Sequence, residues 1–141
     1  MAGELTLRVI TPDSIVLDTT ASAVRIPAVD GSMGVLPGHA QMVAALDMGL
    51  MTYRAGGKDE ALFVSGGFVE VRDNTVRIVS EAGERPEDID EERAREAEAR
   101  ARQRIEEGRA IGSQIDILRA ELSLRRAQQR LRARGYSGTL V

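Results

Sequence analysis

Short apolar or alternating runs follow one another over residues 5–79, with turn residues between them. In the runs at 5–10 and 75–79, apolar positions alternate with Thr and Arg, which is typical of a half-buried antiparallel strand. Connectors at 55–60, 65–67 and 72–74 carry the Gly, Asp and Asn that tight turns need. Many short strands at this spacing predict a β-sandwich or β-barrel. The nine runs are 5–10, 14–17, 22–27, 33–36, 42–46, 50–54, 61–64, 68–72 and 75–79.

The pattern becomes helical after Pro86. All 4 prolines lie in residues 1–86, and residues 87–107 contain neither Gly nor Pro. We predict a first helix with Asp88 as N-cap and Glu91 as a partial capping box, then a loop around 108–112. Ser113 caps a second helix that ends near Arg134. The short connection predicts an antiparallel hairpin, so the chain divides into a domain of residues 1–86 and a hairpin of residues 87–141.

The two helices differ in their apolar faces. The first has a thin stripe at Ile89, Ala97, Ala101 and Ile105. The second has two rows that lie nearly opposite each other at about 100° per residue: the 111/122 row (Ile111, Ile115, Leu118, Leu122) and the 117/131 row (Ile117, Ala120, Leu124, Ala127, Leu131). A two-helix hairpin buries only one row. The other must meet the sandwich, a partner protein, or each in turn.

Composition narrows the class of protein. The chain has 141 residues, of which 43% are hydrophobic and 29% charged, as expected of a folded domain with an appendage. No run is long enough to cross a membrane, and the N-terminus does not resemble a signal peptide. A net charge of −3 excludes a uniformly basic nucleic-acid binder, and 2 Tyr with 2 Phe offer no stacking platform for bases.

The sequence offers no catalytic or metal site. His39 is the single histidine and there is no cysteine, so neither a hydrolase triad nor a His/Cys metal cluster can form. The glycine-rich run DGSMGVLPGHA at 30–40 matches no phosphate-binding loop. We expect a protein that is not an enzyme.

Charge is unevenly divided within the hairpin. Residues 86–107 carry nine acids and five arginines, whereas residues 108–141 carry two acids and seven arginines. Solvated ion pairs account for most of the first helix. The arginines of the second helix have few acids within reach, which indicates an acidic partner.

The chain resembles the epsilon subunit of F-type ATP synthases of the bacterial and chloroplast branch. The resemblance rests on LTLRVITPD (5–13), DGSMGVLPGHA (30–40), ALDMGLM (45–51), SGGFVEV (65–71) and RAELSLRRAQQRL (119–131). It implies an α+β fold, with an N-terminal ten-stranded β-sandwich followed by a C-terminal antiparallel two-helix hairpin.

The resemblance also implies a function in the central stalk, or rotor. The sandwich would bind the gamma subunit and the c-ring and help to couple proton translocation to ATP synthesis. The hairpin would extend along gamma, reach the beta and alpha subunits, and inhibit ATP hydrolysis. The implied inhibitory basic residues are Arg119, Arg125, Arg126, Arg130 and Arg132. The implied location is the cytoplasmic face of the bacterial plasma membrane rather than a thylakoid, with membrane contact only through the complex.

ATP is a further implied ligand, as a regulator and not as a required cofactor. Family members that bind ATP carry Ile/Leu-Asp-x-x-Arg-Ala, and Ile89 to Ala94 match it. Arg93 and Arg100 share one helical face and Arg126 and Arg130 another, so a hairpin could direct four guanidinium groups at one triphosphate. The resemblance adds Glu84 on the adenine side and Asp90 in the surrounding polar network. Ordinary surface ion pairs are the alternative interpretation of these residues.

The resemblance places the partner contacts of the sandwich in the glycine-rich run. His39 is a candidate gamma contact. Ser32 stands where many family members carry glutamate, and Asp30 is a candidate substitute for a contact to the c-ring. A free-standing nucleotide-sensing module stays open as the alternative function, and co-purification with gamma and c subunits distinguishes the two.

Overall fold

The computed structural model describes residues 3–138, so residues 1, 2 and 139–141 of the two predicted domains lie outside the described part. Ten strands form two five-stranded sheets, and two helices follow them. This confirms the predicted α+β sandwich with a C-terminal hairpin. The strands are β1 (Leu5–Ile10), β2 (Ile15–Ala21), β3 (Ala23–Ala28), β4 (Gly31–Val35), β5 (Met42–Ala45), β6 (Gly49–Ala55), β7 (Lys58–Val64), β8 (Phe68–Arg72), β9 (Thr75–Val79) and β10 (Gly83–Glu84).

The two sheets have separate strand orders. Sheet I has the order β2-β1-β9-β8-β5 and sheet II the order β10-β7-β6-β3-β4. β1 pairs with β9 in parallel, and every other strand pair within the described residues is antiparallel. β5 and β4 are the edge strands on one side of the sandwich. Backbone hydrogen bonds from Val29 N to Ala45 O and from Asp47 N to Pro27 O join the two sheets there.

Side-chain alternation places the core between the sheets. Along β1, Leu5, Leu7 and Val9 are fully buried, whereas Thr6 and Arg8 face outward. β8 and β9 connect through a two-residue turn in which Asp73 and Asn74 have φ of 49° and 60°. Asp and Asn tolerate this left-handed conformation better than other side chains, which explains why the connector at 72–74 (Arg-Asp-Asn) forms a tight turn.

The sequence pattern predicts nine of the ten strands, with ends that differ by up to a few residues. β8 and β9 begin and end as predicted. β10 has two residues, Gly83 and Glu84, and pairs with the end of β7. So short a strand has no alternation to detect, and only the family resemblance implied ten.

The helices begin and end differently from the prediction. α1 is Glu91–Ile111 and its N-cap is Asp90, whose side chain accepts a hydrogen bond from Arg93 N at 3.1 Å. Asp88, the predicted cap, instead ends a 3-10 turn, Pro86–Asp88. This turn starts at proline, whose fixed φ suits a first helical position. The turn includes Asp88, the residue that the prediction assigned to the N-cap.

The predicted loop at 108–112 is also mostly helical. α1 continues to Ile111, and α2 (Gln114–Arg134) starts after Gly112 and Ser113. Ser113 caps α2 as predicted, accepting from Asp116 N. Gly108 stays in the helix because the helices approach each other there: a Cβ on it would lie 2.8 Å from Ile117 Cγ1. Its role is close packing rather than a turn.

The hairpin lies against sheet II, where α2 contacts β6 and β7. Phe63, Ile89 and Ala133 form a small buried cluster between sandwich and helices, with Met48 and Leu50 packed against it. On α1, Ala94, Ala101 and Ile105 are buried, while Ala97 of the predicted stripe is half-buried. Ile89 precedes the helix and contacts the sandwich instead. Within residues 3–138, neither helix has the length and apolarity needed to cross a membrane.

Candidate functional site

A cavity of about 420 Å³ opens where α1, α2 and β10 meet. Five of the six residues predicted to bind ATP line it: Glu84, Asp90, Arg93, Arg100 and Arg130. The fold brings them together from the last strand, the start of α1 and the second half of α2. Ala94, Ala97 and Ala127 form its small apolar floor, so the stripe of alanines leaves room between the helices.

Arg130 and Glu84, which both line this cavity, form an ion pair. Arg130 Nε donates to Glu84 Oε1 at 3.0 Å and Nη2 donates to Oε2 at 2.8 Å, so the pair is bidentate. Both side chains are about two-thirds buried, with exposures of 34% and 30%. The guanidinium carbon also lies 5.0 Å from the centre of the Phe63 ring. The pair therefore ties α2 to the edge of sheet II.

Arg93 and Arg100 supply positive charge to the cavity. Both lie on α1 and are exposed, and neither takes part in an ion pair within residues 3–138. Two guanidinium groups without carboxylate partners on one face of a cavity can bind an anion through several N–H groups. Asp90, by contrast, already accepts the capping hydrogen bond of α1.

Arg126 does not line the cavity. Its Nη2 donates to Ser123 Oγ at 3.1 Å, along its own helix. Arg126 is four residues from Arg130, but α2 is rotated so that Ala127 and Arg130 face the cavity. The structure therefore groups three of the four predicted guanidinium groups, and the part played by Arg126 stays a prediction.

The five arginines of the predicted inhibitory set are dispersed along α2. Arg125 Nη2 donates to Asp47 Oδ2 at 2.7 Å, which gives α2 a second ion pair with the sandwich. Burial alone would raise the pKa of Asp47. Hydrogen bonds from Arg125 and from Met48 N, together with the charge of Arg125, outweigh burial and hold that pKa below its ordinary value of 3.8. Arg119 lies near the tip of the hairpin and Arg132 in the last turn.

The hairpin buries one apolar row of α2 and leaves the other exposed. In the 117/131 row, Ala120 and Ala127 are buried and Ile117, Leu124 and Leu131 are half-buried. The 111/122 row faces solvent: the exposures of Ile111, Ile115, Leu118 and Leu122 are 75%, 67%, 59% and 43%. The 117/131 row and Ile115, Leu118 and Leu122 lie where the helical period put them, but the prediction was wrong for Ile111. That residue is the last of α1, and Gly112 and Ser113 separate it from α2. The 111/122 row has no partner within the described residues.

The predicted contacts in the glycine-rich run fall at both ends of β4. Asp30 and Ser32 are exposed at the β3–β4 turn, where Ser32 Oγ accepts from Arg25 Nη1 at 3.3 Å. His39 lies in the loop after β4 and its Nδ1 is 2.7 Å from Ala40 O. A five-residue strand spans about 16 Å, so these residues form two separate contact points.

An apolar row across the outer face of sheet I was not found from the sequence. The strand register places Ile15 beside Ile10, Ile10 beside Val79, Val79 beside Phe68, and Phe68 beside Ala45. Ile15 and Phe68 are 59% and 40% exposed. The signal was present: Ile10 and Val79 fall in the outward phase of strands whose other outward positions are Thr and Arg. We call these five residues the sheet I row.

Comparison with known proteins gives matches over nearly the whole chain. Residues 4–86 match the family model for the beta-sandwich domain of the ATP synthase Delta/Epsilon chain, and residues 87–135 match its long alpha-helix domain. The ATP synthase epsilon chain of Nitratidesulfovibrio vulgaris is 44% identical over 135 residues, covering 96% of this chain and 98% of the relative. That of Symbiobacterium thermophilum is 47% identical over 134 residues, covering 94% of each.

Solved structures resemble the chain as well. A chain of the Euglena gracilis mitochondrial ATP synthase, in a structure of OSCP, F1 and c-ring, superposes with a TM-score of 0.78 at 27% identity, covering 89% of this chain and 78% of that one. A chain of the Tetrahymena thermophila mitochondrial ATP synthase, in a structure of central stalk and c-ring, gives 0.52 at 17% identity, covering 62% and 71%, and that likeness concerns the fold.

Proposed function

The chain belongs to the ATP synthase Delta/Epsilon chain family, and we propose that it is the epsilon subunit of an F-type ATP synthase, a non-catalytic part of the central stalk that links gamma to the c-ring. The observation that carries this is near-complete coverage: both domains match, and the epsilon chain of Nitratidesulfovibrio vulgaris aligns over 98% of its own length. The location that follows is peripheral, at the cytoplasmic face of a bacterial plasma membrane, through the complex.

Gamma is the partner that fits the sheet I row. The hairpin covers sheet II, so sheet I is the large face of the sandwich left free for a neighbour. An apolar row over all five strands of that sheet is what a stable protein interface buries at its centre. Asp30 and Ser32 at one end of β4 are the candidate c-ring contacts, and His39 at the other end is a candidate gamma contact.

The hairpin fits the role of an inhibitory element with two positions. In the docked position the Asp47–Arg125 and Glu84–Arg130 ion pairs hold α2 on sheet II. In an extended position the 111/122 row and the released arginines would contact gamma and the acidic surfaces of the beta and alpha subunits. Two partly exposed ion pairs and one small apolar cluster make a contact that can open, as a bistable element requires.

ATP binding in the 420 Å³ cavity would favour the docked hairpin. Arg93, Arg100 and Arg130 offer guanidinium groups from both helices to one triphosphate, and a ligand held by α1, α2 and β10 together stabilises the state in which these elements meet. Inhibition of ATP hydrolysis would be relieved accordingly. ATP acts here as a regulatory ligand, and no cofactor is needed for the stalk function.

The stalk assignment is tested by co-purification. Affinity-tagged chain expressed in its own host and isolated with detergent-solubilised membranes should carry gamma and c subunits with it. A tagged chain in which Phe68 is replaced by Glu should recover less gamma, because a buried carboxylate in an apolar interface is costly. Recovery of the unmodified chain without gamma or c subunits would favour the free-standing nucleotide sensor instead.

The ATP site is tested by calorimetry on the full chain, with and without magnesium. Arg93→Gln and Arg100→Gln should each weaken ATP binding about 10- to 150-fold, since a charge-assisted hydrogen bond contributes about 1.5–3 kcal/mol. Arg102→Gln is the matched control, because Arg102 lies on the same helix but does not line the cavity. No heat of binding with the unmodified chain, or equal weakening by the control, would contradict the site.

A further inference from the structure

A second basic cavity lies on the other side of α2 from the candidate ATP cavity. It has a volume of about 300 Å³ and is bounded by β3, β4 and β6 of sheet II, the segment before β6, and α2. Arg125, Gln129 and Arg132 line it from α2, whereas Ala127 and Arg130 line the other cavity. At 100° per residue these two groups face opposite directions, so the cavities are separate.

Charge in this cavity is unbalanced. Arg25 reaches it from β3, and Arg125 and Arg132 reach it from α2, so three guanidinium groups converge from two elements. Asp47 is the one carboxylate in the lining, and it is already paired with Arg125. Within residues 3–138, Arg25 and Arg132 have no ion-pair partner. Two positive charges beside the paired one attract an anion.

Neutral polar groups in the lining fit a specific class of anion. Ser32 supplies a hydroxyl, which lies 3.3 Å from Arg25 Nη1. Gln129 Oε1 is buried and has no hydrogen-bond partner. This oxygen has no accessible surface in the docked structure, so a small rotation of the Gln129 amide toward the cavity is needed before a ligand can donate to it. Because a buried acceptor without a donor is costly, a ligand that carries a proton favours that rotation. Gly49 packs closely beside this corner, since a Cβ on it would lie 3.1 Å from Pro27 Cβ.

We propose that this cavity binds inorganic phosphate as the hydrogen phosphate ion. Arg25 and Arg132 hold the phosphate oxygens, Ser32 adds a hydrogen bond, and the P–OH group donates to Gln129 Oε1. Sulfate has no proton at neutral pH and leaves Gln129 Oε1 without a partner, so phosphate is preferred. The site is independent of ATP in the other cavity.

Phosphate bound here bridges the sandwich and α2. Since Arg25 and Ser32 belong to sheet II and Gln129 and Arg132 to the hairpin, the complete site exists only while the hairpin is docked. A ligand that binds one state alone shifts the equilibrium by a factor of one plus its concentration over its dissociation constant. At ten times the dissociation constant, docking is favoured about 11-fold.

The test is titration of the full chain with inorganic phosphate at constant ionic strength and without nucleotide, followed by the amide NMR signals of Ser32 and of the Gln129 side chain. Sulfate is titrated in parallel. We expect saturable shifts, weaker binding of sulfate, and at least a tenfold loss of phosphate affinity in Arg25→Gln and in Arg132→Gln. Arg134→Gln, on the same helix but outside the lining, and Arg93→Gln, in the other cavity, should bind phosphate as the unmodified chain does.

Three results would overturn the proposal. Equal loss in Arg134→Gln would mean attraction to the general charge of α2, and loss confined to Arg93→Gln would mean phosphate in the ATP cavity. Equal affinity for sulfate would remove the role of Gln129. Because Arg25→Gln changes the sandwich and Arg132→Gln the hairpin, misfolding of one variant leaves the other to decide.

Discussion

The ion pair between Arg130 and Glu84 should hold the hairpin on the sandwich, and Arg130→Gln is the change that tests it. The pair is bidentate, and its side chains are 34% and 30% exposed. Its contribution should therefore lie between that of exposed pairs, about 0.2–1 kcal/mol, and that of buried hydrogen bonds to charged groups, about 1.5–3 kcal/mol. We expect a coupling of about 1–2 kcal/mol, which weakens docking about 5- to 30-fold.

A double-mutant cycle measures this coupling directly. Amide hydrogen exchange of α2 is followed in the unmodified chain, in Arg130→Gln, in Glu84→Gln and in the double variant, all without nucleotide or phosphate. Exchange in β1 and β9 at the centre of sheet I should stay unchanged, because opening of the hairpin leaves the sandwich core intact.

Arg54 and Asp59 provide the matched control. They form a pair of similar geometry, with Arg54 Nε donating to Asp59 Oδ1 at 2.8 Å and Nη2 to Oδ2 at 3.2 Å, but both belong to the sandwich. Arg54→Gln should leave exchange in α2 as it was. A coupling near zero for Arg130 and Glu84, or an equal effect of Arg54→Gln, would refute the view that this pair holds the hairpin.

Four further predictions concern the hairpin and its partners. Gly108→Ala should destabilise the hairpin by about 1 kcal/mol in thermal unfolding, because a clash at 2.8 Å with Ile117 Cγ1 outweighs the gain in helix propensity. Adding Ile117→Ala to the same chain should restore stability. No loss of stability in the single variant would contradict the close approach of the helices. The lowered pKa of Asp47 contributes docking stability above its ordinary value of 3.8, and this stability is lost as pH falls through the lower folded value. The protection factors of α2, which are corrected for the intrinsic exchange rate, should therefore fall in acid, and this dependence should shrink in Asp47→Asn. Identical pH profiles of the protection factors in the two chains would exclude Asp47 as its source. Truncation after Pro86 should leave a folded sandwich that still binds gamma, with a free energy of unfolding lower by about 2 kcal/mol because Phe63 is uncovered. Loss of gamma binding would show that the hairpin is needed for it. Phe68→Glu should reduce gamma recovery while Arg72→Glu, on the same outer face but outside the sheet I row, should not, and equal losses would argue against that row as the interface.

Much of the fold followed from local pattern. The alternation in β1, β8 and β9 placed those strands with their inward faces, and Ser113 gave the start of α2, because each feature depends on residues close together in sequence. The pattern failed where local signals competed. Asp88 and Asp90 both suit an N-cap, and the 3-10 turn at Pro86 decided between them.

The sequence predicted most of the residues that line the candidate ATP site but not how they are arranged. The motif around Asp90 and the spacing of Arg93 and Arg100 identified one face of α1. The rotation of α2 about its axis could not be predicted in the same way. Arg126 and Arg130 are four residues apart, so the helical period places both on one face and does not show which of them lines the cavity. Packing of the hairpin on the sandwich, where Ala133 lies in the cluster with Phe63 and Ile89, turns Arg130 toward Glu84. Arg126 instead donates to Ser123 within its own helix.

The sequence by itself predicted the division at Pro86 and determined the strand faces, the two opposite apolar faces of α2 and the absence of a histidine or cysteine cluster, since all of these depend on residue type and spacing along one segment. Tertiary structure decided which row of α2 is buried, how Asp47 and Glu84 meet arginines 78 and 46 residues away, and how single residues of five strands align as the sheet I row. Contacts of that kind depend on strand register and on the rotation of packed helices, which no single segment of the chain encodes.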